Sequence, residues 1–236
     1  MTLEDGEEPR STNLQNSSER KSNLDLAFME IRHEVIHSGE EIAAWKLGGT
    51  TWQSRQELKT TELIFGPLLS RQIISSGTVP EPLVQDCVEL EISIRQSREA
   101  EGYEWCLTLE FPFLPNPKVQ PVTTEFLVRN RCGAGAMYVG APKPLSLLDD
   151  FNYKNIELII SDKDAVTADL KRLVVSPLAT YENFLETAFQ HGFSPSPRDW
   201  VATGGITTCV DFSMGDRLEV WVDGGLELST RVQGID

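Results

Sequence analysis

The stretch that decides the fold is DCVELEISIRQ, residues 86–96. Its apolar side chains alternate with polar ones: Val88, Leu90, Ile92 and Ile94 against Glu89, Glu91 and Ser93. Successive side chains of a β-strand point to opposite faces, so the pattern predicts a half-buried strand with Glu89 and Glu91 on one face. Two carboxylates placed in this way either face solvent or share a metal ion. The strand alone leaves both interpretations open.

The net charge of the chain disfavours two classes of partner, nucleic acids and anionic membranes. The chain has 236 residues and a formal net charge of −15. Nucleic acids and anionic membrane surfaces both require a basic protein surface, so we expect neither as a partner. The sequence contains no run of about 20 apolar residues, which a membrane-spanning helix needs. The net charge otherwise mainly favours solubility and indicates no particular chemistry.

The cysteines and histidines predict little chemistry of their own. Four cysteines are widely spaced without a Cys-x-x-Cys pair: Cys87, Cys106, Cys132 and Cys209. Because the first residues do not resemble a secretory signal, we expect four reduced, buried thiols in a cytoplasmic protein. His33 and His37 have zinc-ligand spacing on a predicted helix, but no third ligand stands near them in the sequence.

The chain is predicted to form one domain after a polar tail. Residues 1–23 are nearly free of apolar side chains, and we expect them to be a disordered acidic and polar tail. Apolar residues at helical spacing predict helices near 24–38 and 178–191, the second followed by Gly192 as its cap. Short strands and turns fill the rest. The sequence predicts a single α+β domain over residues 24–236, with a β-rich core.

Five segments in a fixed order carry a family resemblance. They are AAWKLGGTT (43–51), FGPLL (65–69), VELEISI (88–94), NRCGAGAMYVGAP (130–142) and DWVATGGITTCVDFSMGDRLEVWVDGGLELSTRV (199–232). The ordered set resembles the 2-keto-4-pentenoate hydratase and 4-oxalocrotonate decarboxylase branch of the fumarylacetoacetate hydrolase superfamily. The resemblance spans residues 26–232 and implies a barrel-like, mixed β core with few helices.

The resemblance also implies a divalent ion, Mg²⁺ or Mn²⁺, held by three carboxylates. Glu89 and Glu91 match the Glu-x-Glu pair of the family residue for residue. Positions two apart on a strand share a face, and hard cations prefer oxygen ligands, so the pair suits such an ion. Glu110 is the implied third ligand, because it precedes Asn130 by the twenty residues that the family keeps at this interval.

The implied catalytic and substrate-binding residues lie in two other segments. Lys46 is the implied catalytic lysine, and we expect burial to lower its pKa toward neutrality so that it can move a proton. Thr50, Thr203 and Thr207 are the implied substrate-binding residues. Thr203 and Thr207 flank a Gly-Gly turn whose amides and hydroxyls suit a carboxylate, and the alternative is a structural β-turn that requires glycine.

The sequence departs from the family at several positions. Ile64 and Arg129 stand where the family has aspartate, and FPFLP follows Glu110 in place of a Val-Asp-Ser-Arg run. The interval between Glu91 and Glu110 is also shorter than the family's. These departures leave the acid–base assignments open.

The function that the resemblance implies is a metal-dependent lyase, either a hydratase or a decarboxylase. Its substrate would be a small 2-keto or 2-hydroxydienoic acid, and both reactions pass through a metal-stabilised enolate. Two alternatives stay open. One is a catalytically impaired relative that serves as a binding or assembly module. The other is a C–C hydrolase or tautomerase of a diketo acid, for which a water-activating His-Glu pair is expected. The family also implies a homo-oligomer.

Overall fold

The computed structural model describes residues 12–80, 85, 87–97, 101–115, 122–151 and 154–233, with the backbone alone over residues 12–22. The helices of the described residues are α1 Thr12–Ser38, α2 Trp52–Leu58, α3 Thr124–Arg129, α4 Leu148–Phe151 and α5 Pro177–Gln190. The strands are β1 Ile42–Gly48, β2 Ile64–Leu69, β3 Ile73–Ile74, β4 Thr78–Pro80, β5 Cys87–Gln96, β6 Tyr103–Pro112, β7 Ala134–Val139, β8 Lys143–Pro144, β9 Ile156–Ile160, β10 Val166–Thr167, β11 Trp200–Gly205, β12 Val210–Asp211, β13 Arg217–Val222 and β14 Gly225–Gln233.

The larger sheet is curled into a nearly closed barrel. Its strand order is β2-β1-β11-β5-β6-β7-β3, and β12 and β8 pair with β5 and β6 at its margins. The two strands at the ends of this order, β2 and β3, are separated along the chain only by the single turn Ser70–Gln72. The two ends of the sheet must therefore lie close together. Gln72 contributes to this closure, since its side chain donates to the carbonyl oxygen of Ala134 on β7.

Strand β5 lies in the middle of this sheet, and both of its faces are buried. Its apolar side chains are fully buried in the main hydrophobic core, which also contains Phe28 of α1 and Phe184 of α5. The opposite face lies inside the barrel, where Ser93 bonds to Thr108 on β6. The prediction of a strand was correct, but the prediction of a half-buried one was wrong. Because the sheet curls round, its second face is enclosed as well.

A second sheet of five strands has the order β10-β9-β13-β14-β4. It contains two hairpins, β9–β10 and β13–β14. The β13–β14 turn consists of Asp223 and Gly224, which have φ values of 50° and 77°. Glycine adopts such positive φ values at little cost, which explains why it stands in this turn. The two sheets and the helices together form the predicted α+β architecture.

Helix α1 begins earlier than expected. Residues 12–23, which we assigned to the disordered tail, form the first turns of this helix. Its C-terminal part carries the predicted buried stripe, of which Phe28 and Ile31 are each 1% exposed. An anchored helix can extend into polar sequence at low cost, because propagation adds one hydrogen bond per residue. Residues 1–11 lie outside the described residues. None of the described helices is long and apolar enough to span a membrane.

Two of the four cysteines are joined. Cys87 at the start of β5 and Cys209 beside β12 form a disulfide, whereas Cys106 and Cys132 are free and buried. The prediction of four reduced thiols is therefore wrong for two of them. The pairing of β12 with β5 brings the two residues together across 122 positions of sequence, a contact that no local pattern reveals.

Candidate active site

Three glutamates form a cluster inside the barrel. Strands β5 and β6 pair in a register that places Glu89 directly opposite Glu110, and Glu91 lies two residues further along on the same face. One carboxylate oxygen from each residue lies within 4.8 Å of the other two. Glu91 and Glu110 are 1% and 0% exposed, and Glu89 is partly buried. The structure thus brings all three predicted metal ligands together, although the sequence separates them by up to 21 residues.

The carboxyl groups of the cluster are buried and crowded, and both effects disfavour their charged forms. Burial raises the pKa of Glu110 to about 7, and the negative charge of Glu89 adds to the rise, while Lys46 opposes it. Burial, together with Glu110 and Glu89, also raises the pKa of Glu91 well above its ordinary value. Among the described residues, Oε1 of Glu110 has no hydrogen-bond partner. A buried acceptor of this kind is costly unless something positive satisfies it.

Lys46 lies beside this cluster on β1. Its Nζ is 2.6 Å from Oε2 of Glu110, and the residue is 9% exposed. Burial by itself lowers the pKa of Lys46, but the charges of Glu110 and Glu89 together raise the pKa above its ordinary value. The expectation of a pKa lowered toward neutrality is therefore wrong for this structure. The neighbouring carboxylates therefore favour the protonated, ammonium form of Lys46.

The Gly204-Gly205 pair supports the cluster from strand β11. The amide N–H of Gly204 donates to Oε2 of Glu91 at 3.0 Å. Gly204 has a φ of +123°, and a Cβ atom at this position would lie 2.3 Å from Oγ1 of Thr50. The two glycines form a bulge, with a register shift between Ala202 and Gly205, in place of the predicted turn. A bulge at this position aims a backbone donor at a buried carboxylate.

The three predicted substrate-binding threonines differ in their surroundings. Thr203 is fully buried, and its hydroxyl donates to the carbonyl oxygen of Ile92 at 2.7 Å. The hydroxyl of Thr207 accepts from the amide of Leu90 at 3.0 Å, so its own proton is free to reach a ligand. Thr50 and Thr207 both line the cavity described next. The geometry therefore favours these two as ligand-binding residues, and it gives Thr203 a role in holding β11 against β5.

A cavity of about 650 Å³ opens onto the cluster. Lys46, Glu89, Glu91, Gly205 and Thr207 contribute to its polar lining. Its apolar lining includes Leu47, Leu58, Leu114 and Leu127. A mostly apolar cavity with a few convergent polar groups is typical of a small-molecule site, and this volume suits a small organic acid.

The chain matches known proteins when their structures are compared, but not when their sequences are. No protein-family model and no curated protein matches the chain. The 4-oxalocrotonate decarboxylase from Pseudomonas putida G7, complexed with magnesium and adipate, superposes with a TM-score of 0.73. The identity is 19%, and the match covers 89% of this chain and 85% of that chain.

Two further solved structures have the same architecture. A fumarylacetoacetate hydrolase family protein from Yersinia pestis CO92 has a TM-score of 0.54 and 15% identity, covering 82% of this chain and 94% of that chain. The chain has the fumarylacetoacetate hydrolase fold. The fumarylpyruvate hydrolase from Pseudomonas aeruginosa, in complex with Mn²⁺ and pyruvate, has a TM-score of 0.58 at 16% identity, covering 82% and 90% of the two chains. The predicted fold class is confirmed, and the likeness to the 4-oxalocrotonate decarboxylase structure bears out the predicted resemblance at the level of the fold.

The two positions at which the family resemblance implies aspartate, Ile64 and Arg129, have structural roles in this chain. Ile64 is fully buried in the hydrophobic core, and its side chain packs against Gly48. Arg129 lies at the end of α3, where its Nε forms an ion pair with Glu30 of α1 at 2.7 Å. Neither residue supplies an acid or a base to the cavity.

Among the cavity residues that sequence reasoning did not single out as site residues are Cys132 and Arg172. Burial raises the pKa of the Cys132 thiol to about 12, so this residue is a neutral part of the wall next to Lys46. Arg172 lies in the sequence DLKRL, which contains no motif that would single it out. Only the folded chain shows that this arginine reaches the cavity.

Proposed function

We propose that this protein is a divalent-metal-dependent lyase that decarboxylates a small 2-keto acid. The observation that carries the proposal is the cluster of Glu89, Glu91 and Glu110, buried beside Lys46 at a cavity that fits a small acid. Structures with the same fold, the decarboxylase from Pseudomonas putida and the hydrolase from Pseudomonas aeruginosa, contain magnesium and Mn²⁺ respectively. A cytoplasmic location and a homo-oligomeric state stay predictions.

The three carboxylates fit Mg²⁺ or Mn²⁺. Hard divalent ions prefer oxygen ligands, and all three residues supply them. The raised pKa values of Glu91 and Glu110 reflect crowded carboxyl groups that a dication would relieve, and Oε1 of Glu110 has an unused lone pair among the described residues. When bound, the ion would supply Lewis-acid stabilisation of negative charge on the C2 oxygen of a 2-keto acid.

The side chains of the protein would orient the substrate and move a proton. Thr50 and Thr207 line the cavity and would position the substrate beside the carboxylates. In decarboxylation the bond to a distal carboxyl group, one that lies β or vinylogously β to the C2 carbonyl, breaks; CO₂ leaves, and the electron pair of that bond is delocalised toward the C2 oxygen as an enolate. Lys46, protonated at Nζ, would then donate a proton to carbon and be reprotonated from solvent. The Gly204 amide would keep Glu91 in place.

Decarboxylation is favoured over hydration because the second reaction needs a base that activates water. The position at which the family places an aspartate holds Ile64, a buried residue of the core. A C–C hydrolase would need a histidine at the cavity, and no histidine is among its described lining residues. The retained carboxylate cluster and lysine disfavour an impaired relative that acts only as an assembly module.

The test is an assay of CO₂ release from 4-oxalocrotonate with and without Mg²⁺, in parallel with loss of 2-hydroxypenta-2,4-dienoate. We expect Mg²⁺-dependent CO₂ release that falls by about 100-fold or more in Lys46→Met, since general acid catalysis contributes roughly this much. Lys163→Met is the matched control, because Lys163 is an exposed lysine of the β9–β10 turn and does not line the cavity. Consumption of the dienol without CO₂ release would replace decarboxylation by hydration. Turnover that survives in Lys46→Met would contradict the assigned role.

A further inference from the structure

Arg172 lies in a segment that is hydrogen-bonded on both sides to backbone at the cavity, at Thr50 and at Ile206. It ends a single helical turn, Leu170–Arg172, between β10 and α5. The amide of Asp169 donates to the carbonyl oxygen of Ile206 at 2.7 Å, and the amide of Val174 donates to the carbonyl oxygen of Thr50 at 2.9 Å. The backbone on one side of Arg172 is therefore fixed to Thr50, and on the other side to Ile206, the residue before Thr207. Its side chain lines the same cavity as Lys46 and Glu91.

The guanidinium group of Arg172 lacks an acidic partner. Its Nη2 donates to Oε1 of Gln53 at 3.3 Å, whereas its buried Nε has no hydrogen-bond partner among the described residues. None of the described carboxylates forms an ion pair with it. Lys46, in contrast, is paired with Glu110. Among the described residues of the cavity lining, Lys46 is therefore a cation paired with a carboxylate, and Arg172 is a cation without one.

Arginine is permanently charged, and its fork of N–H donors matches the two oxygens of a carboxylate. We propose that Arg172 is a specificity-determining residue that binds a second carboxylate of the substrate, so that the cavity selects 2-keto dicarboxylic acids over 2-keto monocarboxylic acids. The inference rests on the proposed function, because it assumes that the 2-keto acid end of the substrate binds at Glu89, Glu91 and Glu110.

The test compares the binding of two ligands of equal chain length, 2-oxoadipate and 2-oxohexanoate, by calorimetry with the full chain and saturating Mg²⁺. We expect the wild type to bind 2-oxoadipate at least about tenfold more tightly, since hydrogen bonds to charged groups are worth this much. In Arg172→Met the preference should vanish, while the affinities for 2-oxohexanoate and for Mg²⁺ stay unchanged. Arg172→Gln is the second variant if the methionine variant does not fold, and the same loss is expected.

Lys171→Met is the matched control, because Lys171 carries the same charge one residue away and lines a neighbouring cavity instead. The control should keep the wild-type preference. Equal affinities of the wild type for the two ligands, or an Arg172 variant that weakens both equally, would overturn this inference and leave the proposed function standing. If neither ligand binds in a Mg²⁺-dependent manner, both the inference and the proposed function fail.

Discussion

At the scale of single residues, Gly204 supports the candidate site through its backbone. Its amide holds Glu91, and its positive φ together with the nearby Thr50 side chain leaves no room for a Cβ atom. Alanine at this position has to adopt an unfavourable backbone conformation and displace Thr50, a residue of the cavity wall. The carboxylate cluster and the cavity therefore both depend on a residue without a side chain.

We predict that Gly204→Ala lowers the free energy of unfolding by about 3 kcal/mol, which combines the cost of a positive φ with that of overpacking. Gly215→Ala is the matched control, since Gly215 has a φ of +89° and no heavy atom within 4 Å of an added Cβ. Its cost should be limited to about 1–2 kcal/mol of backbone strain. Urea denaturation measures both values. Equal costs for the two variants would show that the contact with Thr50 is unimportant.

At the scale of secondary-structure elements, the disulfide fastens the cavity wall to the strand that carries two of the glutamates. Cys87 lies two residues before Glu89, and Cys209, two residues after Thr207, lines the cavity. A crosslink over 122 residues removes a large amount of freedom from the unfolded chain.

Replacing both bonded cysteines, Cys87→Ala with Cys209→Ala, should lower the free energy of unfolding by about 2–4 kcal/mol. The measurement is chemical denaturation with and without dithiothreitol. Reductant should reproduce the loss in the wild type and have no further effect on the double variant. A wild type whose stability is insensitive to reductant would contradict the structural role given to this bond.

The contact between α1 and α5 makes stability depend on pH. His191 follows the last residue of α5, and its ring stacks on Phe28 of α1 with 4.0 Å between ring centroids. Burial lowers the pKa of His191 below its ordinary value of 6.5, although the nearby Asp25 opposes the shift. The unfolded chain therefore binds a proton more readily than the folded one. The stability that this histidine contributes is present above pH 6.5 and is lost as the pH falls below that value.

We predict that the free energy of unfolding falls more steeply between pH 7 and pH 5 in the wild type than in His191→Gln, which cannot titrate. The comparison requires urea denaturation at several pH values in one buffer system. His37→Gln is the matched control, because His37 is an exposed residue of α1. It should keep the wild-type slope. A His191→Gln slope equal to the wild-type slope would exclude this histidine as the cause.

At the scale of the whole molecule, the sequence predicts secondary-structure elements better than it predicts which of their side chains are buried and which distant segments meet. The alternation in β5 and the helical stripe of α5 are local, and both elements form where they are predicted. The burial of Glu91 is not local, because it depends on the curling of the sheet. The same holds for the pairing of Cys87 with Cys209 and for the approach of Arg172, since strand pairing and loop packing bring them together from distant parts of the chain.

For the candidate site, likewise, the sequence predicts which residues belong to it but not their charge states or hydrogen bonds. Glu89, Glu91, Glu110 and Lys46 were identified through a resemblance of segments, and the structure places them together. Their electrostatics required coordinates: the expected lowering of the Lys46 pKa ignored the carboxylates that surround it. Which threonine hydroxyls are free was likewise visible only from the hydrogen bonds that Thr203 and Thr207 make.

The most direct test of the central claim is the anomalous scattering of manganese in crystals grown with Mn²⁺. We predict one strong peak inside the barrel, within about 2.0–2.6 Å of an oxygen from each of Glu89, Glu91 and Glu110. Crystals of Glu91→Gln should lack this peak, while those of Glu57→Gln, a cavity carboxylate outside the cluster, should retain it. A peak elsewhere, or none at saturating Mn²⁺ with Glu110 still paired to Lys46, would contradict the account.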